Sequence, residues 1–258
     1  MTGYCEFLEN IDEIIATQKF EDVLEIAYEA IMNSYDASNS RKIYLKDALE
    51  TILEKKTPYF RKKMMKNCFK KPYSKWLEVA YDIMVEIEAK NLSKMWHVKS
   101  NRIPHYVKDV AQKSVFEKYS DVIIDTSDEE LVNVFYDLIV FYENDLFLNA
   151  NLCEFCDKMF RYKFHFSEGY IEFLCRKIFA RLFDESKYRL AIALGKENLL
   201  YIPSEWMEMA IERLKKMISD ESNTLYTDAD KQVCLKECEL VQNDMELLTE
   251  LCSIIFWC

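Results

Sequence analysis

The sequence predicts an all-α protein of about nine antiparallel helices joined by short connections. Three observations carry this. Glycine occurs three times and proline four times in 258 residues, too few for the turns, bulges and phosphate loops of multi-stranded or doubly wound folds. Half of the residues are apolar, enough for a sizeable core. Those apolar residues recur at three- and four-residue spacing along almost the whole chain.

Phe7, Ile11, Ile14 and Ile15 form the first stripe, and Phe20, Val23, Leu24, Ala27 and Ile31 the second, after a joint at Thr17-Gln18-Lys19. Asp36 to Ser40 is a turn with ready capping residues. A helix from Tyr44 to about Lys56 then meets Pro58, which removes a backbone donor and disfavours helix at Thr57, predicting an end or a kink. The pattern resumes through Met64, Met65 and Phe69 to Pro72, and again from Trp76 to about Met95. Asn91 to Tyr106 is the least regular stretch and is expected to be the main loop. Helical spacing returns over Val107–Ile124, and Thr126-Ser127-Asp128 before Glu129-Glu130 marks a new N-terminus. Leu131, Val134, Phe135, Leu138 and Ile139 give that helix a wide apolar face. Further helices are expected at about 151–167, 170–184, 186–202, 204–219 and 229–257, with no period repeated three times. No Pro-, Gly- or Ser-rich linker divides the chain, which reads as a single domain over 1–258.

The net charge is −11, which argues against general binding to nucleic acid or to anionic membrane, so neither is expected as a partner. The first residues lack the basic-then-apolar order of a signal peptide, and no apolar run approaches the ~18 residues of a membrane span. Nine cysteines, an odd number, read as reduced thiols in a cytoplasmic protein. His97, His105 and His165 are the only histidines and fall in no metal or triad pattern. Cys153 and Cys156 have half of a zinc spacing without a second half, and read as buried thiols. No metal, no cofactor and no catalytic residue is expected; the chain reads as a non-enzyme.

One segment resists a purely structural account. Residues 55–71 contain Lys55, Lys56, Arg61, Lys62, Lys63, Lys66, Lys70 and Lys71 and no acidic residue, so this block is +8 and the remainder −19. It reads either as a solvated basic face or as an anion site; composition alone does not choose.

In order along the chain, several segments resemble 14-3-3 proteins. Lys19-Phe-Glu-Asp-Val23 is similar to that family's R-Y-D-D-M, and Ser38-Asn39 to its L-S-N turn. Glu130 to Glu143, followed by Leu148-Asn-Ala150, resembles E-L-x-x-I-C-x-D-V-L-x-L-L-E and I-P-N-A. Phe155 to Met159 with Tyr162 to Phe166 is similar to V-F-Y-L-K-M-K-G-D-Y-Y-R-Y, and Tyr188 to Gly195 to I-R-L-G-L-A-L-N. Trp257 falls where the family's last helix ends in tryptophan. The resemblance implies a cup of nine antiparallel helices, commonly a homodimer through the first four, acting as an adaptor in signalling. Its groove would bind a phosphoserine or phosphothreonine peptide, or another acidic segment, of a partner protein.

The family's phosphate shell is largely replaced. Its lysine falls on Glu50, its first arginine on Thr57, its arginine–tyrosine pair on His165-Phe166, and its two asparagines on Gly195 and about Ser253. Each charge-assisted bond to phosphate contributes on the order of 1.5–3 kcal/mol, so the loss is large. By the resemblance, the candidate binding residues are the retained Arg61 and Lys158, the substitute cations Lys55, Lys56, Lys62 and Lys63, and His165, with Leu194, Leu199 and Ser253 as lining. His165 is either a donor to anion or an imidazole packed between Phe164 and Phe166. The alternative function is a helical protein–protein interaction scaffold of the same fold without phosphate recognition. Extra helical chain relative to the family lies between about 68 and 128.

Overall fold

A computed structural model describes residues 6, 9–17, 22–23, 25–27, 29, 41–55, 58–69, 73–98, 102–124, 126–141, 159–160, 164–196, 198–220 and 226–256. Among them are ten α-helices and no strand. These are α1 Ile11–Thr17, α2 Arg41–Lys55, α3 Pro58–Cys68, α4 Leu77–Met95, α5 His105–Ile124, α6 Asp128–Phe141, α7 Glu168–Asp184, α8 Tyr188–Lys196, α9 Ser204–Ser219 and α10 Asp228–Phe256. The chain divides into two compact units, residues 1–148 and 149–258.

The first unit is organised on the α4–α5 pair, with α2 packed on α4 and α3 packed on both. Pro58 opens α3 instead of kinking a longer helix; at the first helical position its missing N–H costs nothing and its fixed φ suits the turn. A 3-10 turn, Tyr73–Trp76, leads into α4 and packs against α3 and α6, where Ser74 Oγ donates to Asp137 Oδ2 at 3.3 Å. Leu49, Ile52, Met64, Trp76, Ile83, Phe135 and Leu138 are buried here, each fully buried side chain of this kind contributing about 1.5–3 kcal/mol. Of the two N-terminal stripes, Ile11, Val23 and Ala27 are buried and Ile14 is half-buried; the side chains of the others lie outside the described residues.

The irregular stretch expected over 91–106 is shorter than its composition suggests, since α4 runs to Met95 and α5 begins at His105. Leu92 explains the extension. It packs, with Val85, Val98 and Ile103, on a small core of Ala89, Val107 and Ala111, so helical geometry persists until that core is covered. His97, with φ 53°, then reverses the chain.

In the second unit α8 touches α7, α9 and α10, and α9 also packs on α10. Leu174, Ile178, Phe179, Leu190, Leu194, Met207 and Leu214 form its core. Two helix ends depart from expectation. The helix expected to reach residue 167 has ended by Phe164, whose N–H donates to Met159 O, while Phe166 N–H donates to Phe160 O. Ser167 then caps α7, its Oγ accepting from Tyr170 N–H at 3.4 Å. The helix expected over 186–202 stops at Lys196, because the buried Asn198 turns its amide back onto Leu194 O at 2.8 Å and Pro203 follows closely.

Candidate functional site

The basic segment lies in the first unit, and two of its described side chains, Arg61 and Lys62, are engaged locally. Arg61 is half-buried and its Nε donates to Leu53 O at 3.2 Å across the α2–α3 turn. Lys62 Nζ lies 3.0 Å from Asp121 Oδ2 on α5, both ends exposed; that bond holds the Asp121 carboxyl below the usual range. Lys63 and Lys66 are exposed along α3, and Lys63 has further interactions of its own. Lys55 closes α2, but its side chain, with Lys56 and Thr57, lies outside the described residues.

Glu50, which stands at the position of the resembled family's lysine, is half-buried with Lys90 Nζ 4.0 Å from its Oε1. The neighbouring α4–α5 contact is stronger. Glu88 Oε1 accepts from Lys118 Nζ at 2.7 Å and Ser114 Oγ at 2.9 Å. Burial of the Glu88 carboxyl acts upward on its pKa, but these two donors outweigh it and hold the group below its ordinary value. Burial raises the pKa of nearby Tyr119, with Arg61 acting against it.

The remaining candidates belong to the second unit. His165 is exposed, at φ 49°. It is not packed between its neighbours, because Phe164 and Phe166 stack on each other at 5.8 Å between ring centres. Leu194 is fully buried in the core of α8 and has no surface left for a ligand, which corrects its placement as a groove wall. Leu199 is half-buried in the turn before α9. Ser253 is on α10 with its side chain outside the described residues, as are Lys158, Cys153 and Cys156 altogether.

Sequence reasoning missed an apolar cleft of about 140 Å³ between α7 and α9, lined by Phe179, Ala180, Phe183, Asp184, Trp206 and Met209. Phe179 and Phe183 fall one turn apart on α7, and Trp206 and Met209 on α9. Trp206 stacks on Phe179 at 6.0 Å and 29°, yet remains 37% exposed, with Met209 at 49%. Phe183 meets Tyr188 edge-on at 5.3 Å. The spacing was visible in the sequence, but a core stripe and a cleft wall share it; only the exposure separates them. Asp184 is the one ionisable group in the lining, so the cleft suits apolar side chains and repels an added anion.

Metal or thiolate chemistry finds no support among the described residues. No group of three His, Cys, Asp or Glu is placed to hold a metal ion. Cys68, Cys175, Cys234 and Cys238 are buried and form no disulfide. Burial raises the thiol pKa of Cys68, Cys234 and Cys238, that of Cys238 to about 11, so these stay protonated thiols near neutrality. No known protein family, no curated protein and no solved structure matches this chain.

Proposed function

We propose that the chain is a helical adaptor that holds a segment of a partner protein, using the α7–α9 cleft as an apolar socket. The observation that carries the reading is the pair Trp206 and Met209. Both are large, exposed and clustered beside Phe179 and Phe183, whereas large apolar groups without a partner are ordinarily withdrawn from water. The resemblance of several segments, in their order, to those of 14-3-3 proteins supports an adaptor role.

Phosphate-dependent capture is the less favoured form of this reading. Arg61 is committed to Leu53 O and Lys62 to Asp121, and the cleft presents a carboxylate instead of a cation. The proposal is therefore an interaction scaffold whose partner segment enters with aliphatic or aromatic side chains, without a required phosphate.

Fluorescence polarisation with a library of labelled amphipathic peptides and their phosphoserine twins tests this. Twins are expected to bind alike, and Met209→Glu or Ala180→Trp to weaken binding at least about ten-fold, the scale of 1–2 kcal/mol. A strong preference for the phosphorylated twins, abolished by Arg61→Ala and indifferent to Met209→Glu, would return the site to the basic segment.

A further inference from the structure

The α4–α5 hairpin ends in a surface that the net charge of the chain conceals. The described residues of this stretch, 90–98 and 102–113, carry Lys90, Lys94, Arg102, Lys108 and Lys113 against Asp109, +4 within a chain of −11. At the same end, large apolar side chains face solvent. Met95 is 64% exposed and Trp96 42% where α4 stops, and Tyr106 and Val110, one turn apart at the start of α5, are 57% and 43% exposed. The hairpin already has its own small core in Ala89, Val107 and Ala111, so these four are surplus to its packing.

Ion pairs join α2 to α4 at Lys46–Glu86 and Glu50–Lys90, before Met95 and Trp96, and join α3 to α5 at Lys62–Asp121, close to the opposite end of that helix. Between Lys90 and Val98, and between Arg102 and Val110, Val107 is the one buried residue. From Lys90 to Met95 the helix advances about 7.5 Å at 1.5 Å per residue. That is close to the ~8 Å screening length at physiological ionic strength, so charges on the far side of Lys90 act on the tip with reduced strength.

We propose that this tip docks on the anionic phospholipid headgroups of a membrane surface. Trp96 and Tyr106 enter the headgroup layer, Met95 and Val110 reach its acyl boundary, and Lys94 and Lys108 face the phosphates. Amphipathic aromatic rings favour that layer, and each cation near an anionic surface adds attraction. Met95 and Val110 decide against nucleic acid, whose sugar–phosphate backbone offers aliphatic side chains nothing. The attachment is peripheral, since no described helix is long and apolar enough to cross a membrane. Asp109, exposed on α5, opposes it. The inference stands independently of the α7–α9 cleft.

The test is flotation of the full chain with vesicles of phosphatidylcholine alone and of phosphatidylcholine with phosphatidylserine. Binding to the serine-containing vesicles only, reduced about ten-fold or more by Lys94→Glu with Lys108→Glu and by added salt, is expected. Trp96 emission, taken as the difference between the wild type and Trp96→Phe, shifts to shorter wavelength on binding. Trp96→Ala with Tyr106→Ser lowers partitioning while circular dichroism keeps its helical signal, which separates loss of docking from loss of fold. Equal binding to both vesicle types, no binding to either, or binding unchanged in the charge-reversed variant overturns the proposal. So does a single-stranded oligonucleotide that displaces the vesicles and is itself lost in the same variants; that result makes the tip a nucleic-acid site.

Discussion

At Gly195, inside α8, helix propensity and packing oppose each other. Alanine there would favour the helix by about 1 kcal/mol, but its Cβ would overlap Met207 Sδ and lie 3.2 Å from Phe179 Cε2. Met207 is fully buried and cannot swing into solvent, and overpacking of this kind costs about 1–3 kcal/mol. Gly195→Ala is expected to lower stability in urea titrations, and Gly195→Ala with Met207→Ala to lose less than the two single losses combined. That Gly195 serves helix–helix approach was not legible in the sequence, because the close approach depends on residues from two other helices. Buried thiols belong to the same scale. Maleimide followed by mass mapping is expected to label Cys68, Cys175, Cys234 and Cys238 only after denaturation, as the burial of all four and the raised thiol pKa of Cys68, Cys234 and Cys238 require.

Helix ends and helix pairs carry the next set of expectations. The N-terminus of α6 was readable in advance because its chemistry is local. Ser127 N–H and Oγ both donate to Glu130 Oε2, at 3.0 and 2.9 Å, and Glu130 N–H donates back to Ser127 Oγ at 3.3 Å. Thr227 and Asp230 repeat the arrangement at α10. Ser127→Ala is expected to cost about 1 kcal/mol in a denaturant titration. The stop of α8 at Lys196 was not readable, since it rests on a buried Asn198 amide that sequence spacing does not reveal. The α4–α5 pair should also respond to acid. Glu88 has a folded pKa below its ordinary value, so its contribution is complete above the usual glutamate range and is lost as pH falls through the lowered folded value. Glu88→Gln is expected to flatten the loss of stability on acidification, followed by helical ellipticity.

For the molecule as a whole, the fold class was the most legible feature. The near absence of glycine and proline and the helical spacing of half the residues specify helices without reference to any partner segment. The division into units of 1–148 and 149–258 was hidden, because no linker composition marks it and long-range packing decides it. The cleft and the hairpin tip were hidden for the related reason that exposure belongs to the folded state. Leu174→Ala, in the core of the second unit, is expected to cost about 3 kcal/mol. Amide exchange should then accelerate in α7, α8 and α9 while α4 and α5 keep their protection; uniform acceleration would show that the units open together. Finally, α8 is nine residues long and touches three helices, α7, α9 and α10. Among the described residues of the second unit, none of α7, α9 and α10 peels away without disturbing this short helix. Its extension under force should therefore come as one abrupt rupture, with the load concentrated where α8 is seated.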